Sequence, residues 1–572
     1  MLHYKKIHTE KGHYYLETSL TGKPLLTSPQ LNKGTAFTEQ ERHDFQLLGK
    51  LPTRIETLEE QTQRAYQQYN SFSSNLNKNI YLNNLHDINQ VLFYSLVSKY
   101  LTQMLPMIYT PIVGSAVKSF SREFRRPRGL YIAYSEQQHI EEILDNRTNS
   151  EIDLIVVTDG EGVLGIGDQG IGGMDIPIAK LMVYTLCAGI DPNRTLPIQL
   201  DVGTNNEILL NDPCYLGWRK KRLSGEKYDK FIEKFVNAVQ KKFPHAFLHW
   251  EDFGCGNARR ILEKYRSQLC TFNDDMQGTG AVTLAAILAG VKHNKQSLTE
   301  QRMVVFGAGT AGMGIADQIY DAMIRQGLTA EQASRQFYVI DRQGLLIDDM
   351  HTLTSTQKKY ARNRNEIAQW HVADAQCISL GETIQHAKPT VLIGCSTQAG
   401  AFSEDIIRTM AERVERPIIL PLSNPTEKCE ATPADILEWT HGKALIATGS
   451  PFDAVNFQGV KRVIAQCNNA LVFPGIGLGL IAAKAKRCTD DTLWTACEIL
   501  SNAAPINDTP GGALLPDINH AKPVAKQIAI AVVEQAIASQ QAQIAPTSDS
   551  EALVDSYMWK TRYVPFKYKA SN

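Results

Sequence analysis

The feature of this sequence that most constrains its fold is a glycine pattern within QRMVVFGAGTAGMGIADQIY, residues 301–320. Gly307, Gly309 and Gly312 lie between an apolar run typical of a strand and a pattern typical of a helix. A second apolar run, FYVIDRQG, then ends with Asp341 in its turn. A strand, a glycine turn, a helix and a strand that ends in an acid form the fingerprint of a parallel α/β lobe that binds a dinucleotide. We therefore predict a Rossmann-type lobe whose glycines approach a pyrophosphate.

The acid after the second strand bears on the identity of the dinucleotide. Asp341 follows Gly307 by 34 positions, more than the usual spacing of about 20, because the predicted helix and its loop are long. A carboxylate there binds ribose hydroxyls and disfavours a 2′-phosphate, so the sequence favours NAD over NADP. Arg342 and Lys358 leave the preference open, because a nearby cation could accept that phosphate.

Polar residues follow the later predicted strands of this lobe. The runs PTVLIGCS and RPIILPLSN end at Ser396 and Asn424, and an asparagine pair, Asn468 and Asn469, comes further on. Because α/β sheets bind ligands at the carboxyl ends of their strands, we predict that these residues line the site. Each of them alone is more often a turn or cap residue.

Two acidic pairs lie close together in WEDFGCGNARRILEKYRSQLCTFNDDMQGTG, residues 250–280. Glu251 and Asp252 are separated from Asp274 and Asp275 by residues 257–268, whose apolar periodicity predicts one helix that brings the pairs near each other. Four converging carboxylates repel each other unless a cation lies between them, and oxygen ligands suit Mg2+ or Mn2+. The alternative is that each pair caps a helix, since acidic residues are favoured in the first turn.

A second match to the glycine spacing, residues 165–170, follows the strand pattern IDLIVVT. Its turn contains Asp168, and a carboxylate inside a phosphate cradle would repel the ligand. We therefore interpret these residues as a turn and not as a dinucleotide site.

Two residues of the first half could transfer protons. Lys180 falls one turn into a helix predicted from about Ile176, in the apolar sequence IPIAKLMVY. A lysine there is most often a surface residue, but a desolvated amine that faces carboxylates can act as a general base. Tyr109 stands between Pro106 and Pro111, which predicts a rigid turn that holds the phenol at a cleft or wedges it into a domain seam.

The composition does not indicate a nucleic-acid or membrane partner, and the cysteines bear on the cellular compartment. The net charge of −1 over 572 residues gives no indication of nucleic acid or an anionic membrane as a partner. The N-terminus has no apolar secretory segment, and no apolar run is long enough to span a bilayer. Ten cysteines without a CxxC pair are typical of reduced thiols, so we expect a cytoplasmic protein.

In this order the motifs resemble the malic enzyme family, from about Gly34 to the C-terminal tail. The segments that carry the resemblance are YTPIVG at 109–114, VVTDGEGVLGIGDQGIGGMDIPIAKL at 156–181, EDF at 251–253, FNDDMQGTG at 272–280, FGAGTAGMG at 306–314, PLSNPT at 421–426 and TGSPF at 448–452. The resemblance implies metal-dependent oxidative decarboxylation of L-malate to pyruvate and CO2 with reduction of NAD. It also implies a homotetramer or homodimer.

The resemblance further implies a role for individual residues. Mn2+ or Mg2+ would be held by Glu251, Asp252 and Asp275. Lys180 would be the general base and Tyr109 the general acid, with Asp274 beside the lysine. Asn424 and Asn469 would contact the substrate.

The sequence departs from the family pattern at a few positions. Gly162 stands where an arginine that contacts a substrate carboxylate is usual, and Asp175 and Ala179 replace small glycines before the lysine. The loss of a bidentate guanidinium contact costs about 1.5–3 kcal/mol, unless Arg128 or another cation substitutes. Gly162 and Asp175 resemble the malolactic branch, which converts L-malate to L-lactate with bound NAD, and this is the alternative function. A third hypothesis, a non-catalytic dinucleotide sensor, would leave the Lys180→Ala variant without a phenotype.

The expected fold is α/β and multidomain. We predict a helical N-terminal domain at 1–127, in which an arm precedes the helices that begin near Thr38. An α/β substrate domain of residues 128–273 is completed by residues 469–540. A Rossmann-type NAD-binding domain spans 274–468. The tail at 541–572, whose first residues overlap a predicted surface linker near 539–550, is predicted to pack on a neighbouring subunit.

Overall fold

The computed structural model describes residues 4–9, 14–163, 165–509, 511–545 and 549–570. The chain divides into two compact units. The first contains the described residues up to Leu248 together with those from Asp555 onward, and the second extends from His249 to Val554. Residues 546–548 of the predicted linker, the first three residues and the last two lie outside the described part.

The elements are numbered in chain order. Up to the first unit boundary they are β1 Tyr4–His8, β2 Tyr14–Thr18, α1 Gly22–Leu26, α2 Glu39–Asp44, α3 Leu58–Asn70, α4 Asn75–Ile88, α5 Gln90–Lys99, α6 Leu101–Ile108, α7 Val113–Glu123, β3 Leu130–Ala133, α8 Ile140–Asp145, β4 Leu154–Thr158, α9 Asp175–Ala188, β5 Thr195–Asp201, α10 Glu207–Asn211, α11 Gly225–Lys242 and β6 Phe247–Trp250.

The remaining elements are α12 Cys255–Tyr265, β7 Thr271–Asn273, α13 Thr279–His293, β8 Met303–Phe306, α14 Thr310–Arg325, α15 Ala330–Ser334, β9 Phe337–Asp341, β10 Gly344–Leu345, α16 Ser355–Tyr360, α17 Leu380–Ala387, β11 Val391–Gly394, α18 Glu404–Ala411, β12 Ile418–Pro421, α19 Pro433–Trp439, β13 Leu445–Thr448, β14 Val455–Phe457, β15 Val460–Arg462, β16 Ala465–Gln466, α20 Phe473–Ala482, α21 Asp490–Asn502, α22 Ala521–Ala538, α23 Ser550–Tyr557 and β17 Phe566–Tyr568.

The N-terminal part of the first unit is mainly helical, as predicted. The predicted capping box at Thr38 forms, because its side chain accepts the Glu41 N–H and the Glu41 carboxylate accepts the Thr38 N–H. The predicted N-terminal arm is wrong in part, since β1 and β2 form an antiparallel pair. From the tail, β17 pairs in parallel with β2, and the Phe566 ring packs edge-on against Phe37.

A parallel sheet forms the centre of the first unit. β5 pairs in parallel with both β3 and β4, and every residue of β4 is buried, as expected for a strand covered on both faces. The expectation that no apolar run is long enough to span a bilayer is wrong by length and composition for the segment Gly170–Ala188, which contains α9, but 89% of it is buried within the protein. Its apolar character is accounted for by packing in the core.

The second unit contains a seven-stranded sheet with the order β10-β9-β8-β11-β12-β13-β16. All neighbouring strands are parallel except β10, which runs antiparallel to β9. The chain adds β9 on one side of β8 and β11 on the other, so the strand order reverses there, and such a reversal places a ligand crevice at the carboxyl ends of the strands. The predicted α/β fold with a Rossmann-type lobe is confirmed. Residues 469–540 belong to this unit, and the finer four-part division stays a prediction.

Candidate functional site

Within the first unit, Lys180 and Tyr109 form a hydrogen-bonded pair. Lys180 lies on α9 and is only 2% exposed, and its Nζ donates to the Tyr109 phenol oxygen over 2.7 Å. The same Nζ lies 5.0 Å from the centre of the Tyr109 ring. A buried ammonium or amine is costly unless polar partners are present, so the phenol is one of the groups that hold the lysine inside an otherwise apolar helix.

The rigid turn predicted around Tyr109 begins later than expected. Pro106 lies inside α6 instead of in a turn, and Tyr109 caps the C-terminal end of that helix. Pro111 follows just before α7. The phenol is therefore held at a junction between two helices, where the side chain leaves α6 toward α9.

The loop after β4 is fixed by a buried charge network. Asp159, which is 1% exposed, accepts the Tyr228 hydroxyl over 2.6 Å, and its backbone oxygen accepts from Arg222 Nη1 at 3.1 Å. Arg222 also binds both oxygens of Asp168, through Nη2 at 2.7 Å and Nε at 3.1 Å. The Asp168 carboxylate accepts the Gly170 N–H as well. This turn uses its own carboxylate where a phosphate would otherwise bind, which explains why residues 165–170 match a dinucleotide pattern without forming such a site.

Arg128, which the sequence analysis named as a possible substitute for the guanidinium missing at Gly162, is held by hydrogen bonds to α4. Its Nε donates to Asp87 Oδ1 over 2.7 Å, while Nη1 and Nη2 donate to Asn83. These contacts tie the guanidinium to α4, and its substitution for the missing arginine stays a prediction. At the start of α9, burial raises the pKa of Asp175 to about 6, and the nearby Arg128 charge opposes that rise.

In the second unit the four predicted acidic residues are buried beside each other. Glu251, Asp252, Asp274 and Asp275 are at most 6% exposed. One oxygen from each of Glu251, Asp252 and Asp275 lies within 4.8 Å of the others, and the Asp252 N–H donates to Asp275 Oδ2 over 2.8 Å. Asp252 reaches this position with φ of 55°, a left-handed conformation uncommon outside glycine. The sequence prediction that the two pairs come together is therefore correct in geometry.

A helix and a π-helical turn position the two acidic pairs. The helix predicted for residues 257–268 is α12, which buries Ile261, Leu262 and Tyr265 as expected and ends at Tyr265. After β7, the chain forms a π-helical turn at Asp274–Gly278, and the Asn273 side chain before it accepts the Met276 N–H. Such turns are frequent at functional sites. A Cβ at Gly278 would lie 1.8 Å from Asp274 Oδ1, so the carboxylate occupies space that only glycine leaves.

Sequence reasoning missed His249. Its Nε2 lies 2.6 Å from Glu251 Oε2, and its side chain is fully buried. His249, Glu251 and Asp274 form a second group whose ligand atoms lie within 4.8 Å of one another. Because residues two apart in a strand share a face, the position of His249 two residues before Glu251 is the signal that could have identified it.

The predicted substrate residue Asn469 lies beside Asp274, which the sequence analysis predicted as a residue of the catalytic site. Its Nδ2 donates to Asp274 Oδ2 over 2.9 Å and to the Thr279 hydroxyl over 3.0 Å. The amide thus orients Asp274 relative to the first turn of α13. Asn468, its neighbour, instead caps the next short helix by accepting the Ala470 N–H.

The glycine turn after β8 has the geometry that a dinucleotide site requires. Gly307 adopts φ of 113°, and a Cβ there would lie 2.5 Å from the Cys395 carbonyl oxygen. A Cβ at Gly312 would lie 1.9 Å from the Gly307 carbonyl oxygen, whereas one at Gly309 would meet nothing within 4 Å. The first and third glycines therefore permit the tight turn and the helix packing, and the second leaves open space where a pyrophosphate can approach.

The other predicted cofactor residues lie at the ends of neighbouring strands. Asp341 ends β9, next to the turn, since the Gly307 N–H donates to the Ile340 carbonyl at 2.8 Å. Ser396 follows β11, and its N–H and hydroxyl both donate to Glu430. Asn424 follows β12 and accepts the Ser450 hydroxyl over 2.7 Å. The structure thus places these side chains along one edge of the sheet, and Glu430 is a further residue that sequence reasoning missed.

Comparison with known proteins gives two family matches and close relatives. Residues 86–266 match the family model "Malic enzyme, N-terminal domain", and residues 276–537 match "Malic enzyme, NAD binding domain". The NAD-dependent malic enzyme of Acinetobacter baylyi is 47% identical over 98% of this chain and 99% of that protein. NAD-dependent malic enzyme 3 of Bacillus subtilis is 47% identical over 96% of this chain and 98% of that protein.

Solved structures resemble the chain more distantly. The malic enzyme of Entamoeba histolytica has a TM-score of 0.55 at 21% identity and covers 90% of each chain. That of Pyrococcus horikoshii has a TM-score of 0.53 at 22% identity and covers 80% of this chain and 88% of its own. At these sequence identities the structural similarity supports the fold and not a specific function.

The glycine turn predicts different outcomes for two matched substitutions. Gly312→Ala should lower the thermal unfolding midpoint, because the added methyl group collides with the Gly307 carbonyl. Gly309→Ala should leave the midpoint unchanged but weaken dinucleotide binding by about tenfold or more, because its methyl group enters open space at the phosphate position. Calorimetric unfolding and titration with NAD measure both effects. Unchanged NAD affinity in Gly309→Ala would contradict this placement of the pyrophosphate.

The raised pKa of Asp175 predicts a pH-dependent change in stability. The folded protein binds this proton more tightly than the unfolded chain, so ionisation of Asp175 lowers stability as pH rises from 3.8 through about 6. Asp175→Asn should therefore raise the unfolding midpoint at pH 7.5, by about 2–5 °C, and by less at pH 4.5. Thermal unfolding at the two pH values tests this. The exposed Asp508→Asn is the control, and an equal gain at both pH values would exclude ionisation as the cause.

Proposed function

This chain belongs to the malic enzyme family, and from that premise we propose that it is an NAD-dependent malic enzyme. The proposed reaction converts L-malate to pyruvate and CO2, reduces NAD and depends on a divalent metal ion. The observation that carries the proposal is the buried triad Glu251, Asp252 and Asp275, which lies in the same unit as the dinucleotide turn.

The chemistry of this triad fits a hard divalent ion. Three buried carboxylates within 4.8 Å of one another repel each other, and a cation bound by oxygen ligands offsets that repulsion. All three donors are oxygens, which suits Mg2+ or Mn2+ better than softer metals. His249 contacts Glu251 Oε2 and the Asp252 N–H donates to Asp275 Oδ2, and hydrogen-bond partners of this kind orient metal ligands. The residues present therefore support a metal site.

A divalent ion held by Glu251, Asp252 and Asp275 would supply Lewis-acid polarisation of the malate C2 oxygen, and NAD held at the glycine turn would supply the acceptor for the C2 hydride. Lys180 takes the proton of the C2 hydroxyl, as its buried position and residue type allow. Loss of CO2 from the resulting keto acid leaves an enolate of three carbons. Tyr109 then returns a proton to C3, and the 2.7 Å hydrogen bond lets Lys180 reprotonate the phenol. Two coupled proton-transfer groups are what these steps require.

Three further residues support the reaction by position. Asp274 is proposed as a further catalytic carboxylate, and Asn469 holds it through a hydrogen bond. Asn424 is proposed to contact both cofactor and malate from the end of β12. Gly162 leaves one malate carboxylate without the usual guanidinium, so we expect a raised KM for malate in this chain relative to relatives that carry arginine there, with kcat affected less.

Product analysis tests the proposed reaction. Purified protein with L-malate, Mn2+ and NAD should give NADH and pyruvate in equal amounts, followed by absorbance and by a pyruvate assay. Lys180→Ala should lower kcat by about 100-fold or more while NAD affinity stays unchanged, because the lysine is remote from the glycine turn in sequence and role. Lactate without net NADH would contradict the oxidative reaction, and full activity of Lys180→Ala would remove the lysine from the mechanism.

Metal binding can be measured without turnover. Asp275→Asn should weaken Mn2+ binding at least about tenfold, because it removes one charged oxygen ligand and changes the group that accepts the Asp252 N–H. Electron paramagnetic resonance of free Mn2+ measures this in the absence of malate and NAD. Glu263→Gln, an exposed change on α12, is the matched control. Equal Mn2+ affinity in the wild type and Asp275→Asn would place the ion elsewhere.

A further inference from the structure

Glu430 is a fully buried carboxylate at the carboxyl edge of the Rossmann sheet. It lies in the segment that follows β12 and precedes α19, and neither the predicted metal site nor the predicted base includes it. Its Oε1 accepts the Ser396 N–H at 2.9 Å, the Ser396 hydroxyl at 3.0 Å and the Ser423 hydroxyl. Its Oε2 accepts the Ser423 N–H at 3.3 Å. One side chain therefore joins the ends of β11 and β12.

The surrounding sequence leaves room for this carboxylate. A Cβ at Gly394, the last residue of β11, would lie 2.5 Å from Glu430 Cδ. The Ser423 hydroxyl also accepts the Thr397 N–H at 2.8 Å, and Thr397 has a left-handed φ of 58°. The loop after β11 is thus held in an uncommon conformation by Ser423, which Glu430 holds in turn.

All four donors to Glu430 are neutral. Within the described part of the chain, no lysine, arginine or histidine nitrogen forms an ion pair with this carboxylate at 4.0 Å or less. A buried charge is usually paired with an opposite charge or with a metal, so a carboxylate bound only by hydroxyl and N–H groups is unusual. Its negative charge is available to any cation bound at this edge of the sheet.

The position of Glu430 relates it to one half of the cofactor. In this sheet the strand order reverses between β8 and β11, and a dinucleotide lies across that point with one mononucleotide on each side. Asp341 marks the adenosine side at β9. Ser396 and Asn424 follow β11 and β12, so the loops that Glu430 joins belong to the nicotinamide side.

We propose that Glu430 is a positioning residue of the nicotinamide half-site, whose carboxylate fixes the loops after β11 and β12 and whose charge favours the oxidised cofactor. The nicotinamide ring carries a positive charge in NAD+ and none in NADH, so a nearby buried anion stabilises bound NAD+ more than bound NADH. An enzyme that oxidises its substrate gains from this difference, because the reduced cofactor leaves more readily. This inference rests on the proposed function only in taking NAD as the cofactor.

Glu430→Gln separates charge from shape. The amide oxygen can keep the three hydrogen bonds at Oε1, and only the long bond from the Ser423 N–H is lost. We expect the dissociation constant of NAD+ to rise about three- to tenfold more than that of NADH, with ADP-ribose binding unchanged. Calorimetric or fluorescence titration of the full chain without malate gives all three constants, so a failure of decarboxylation would not affect the result. Glu427→Gln, an exposed change in the same segment, should alter none of them.

Further variants test the positioning role. Glu430→Ala should weaken both NAD+ and NADH, because the two loops lose their common acceptor, while ADP-ribose still binds the other half-site. Ser423→Ala removes a donor and keeps the charge, so it should weaken both forms by the same factor, and it also serves if the Glu430 variants do not fold. Equal weakening of NAD+ and NADH in Glu430→Gln would overturn the charge effect. Unchanged binding of both forms in Glu430→Ala would overturn the positioning role.

Discussion

The structure depends on the burial of four carboxylates in one neighbourhood of the second unit. Glu251, Asp252, Asp274 and Asp275 repel each other there, and each needs hydrogen-bond donors to be kept in place. His249 binds Glu251, the Asp252 N–H binds Asp275, and Asn469 binds Asp274. Two of these donors belong to the segment that carries Glu251 and Asp252, whereas Asn469 is 195 residues away from Asp274 in the chain. The fold around them, with α12 between the two pairs and α20 beginning just after Asn469, is arranged so that the donors arrive at the same place.

The sequence predicted those features that are encoded locally. The glycine turn could be recognised because each of its three glycines has a local structural reason. Gly307 adopts a positive φ, Gly309 leaves open space, and Gly312 permits close packing of the helix. The helix between the acidic pairs was equally readable from its periodicity. The hydrogen-bond partners of the carboxylates could not be predicted from the sequence, because Asn469 and Asp274 are 195 residues apart and nothing in either local pattern indicates the other. The sequence analysis did not identify Glu430 for the same reason, since its hydrogen bonds join the ends of strands that pair only in the folded sheet.

The two glycine matches show why a motif needs its structural context. Both follow a buried strand, and both contain glycines at the same spacing. In residues 165–170 Asp168 accepts an N–H of the turn and two from Arg222, so the turn is already occupied by an anion that belongs to the protein. In the turn that begins at Gly307 no carboxylate intervenes, and Gly309 opens to unfilled space. One acidic residue therefore distinguishes a structural turn from a phosphate site, which is a difference that the sequence carries.

Lys180 is a position where the proposed function would oppose the stability of the helix that carries it. Nearly every residue of α9 is buried, and an apolar side chain at position 180 would pack there without the cost of burying an amine. The Tyr109 phenol reduces that cost through its hydrogen bond, but it is itself a polar group brought into the interior. A pair of this kind adds less to folding than apolar packing of equal volume would. Neither member improves the core, so the fold alone gives no reason for this pair, and the proton transfer proposed for Lys180 and Tyr109 would account for it.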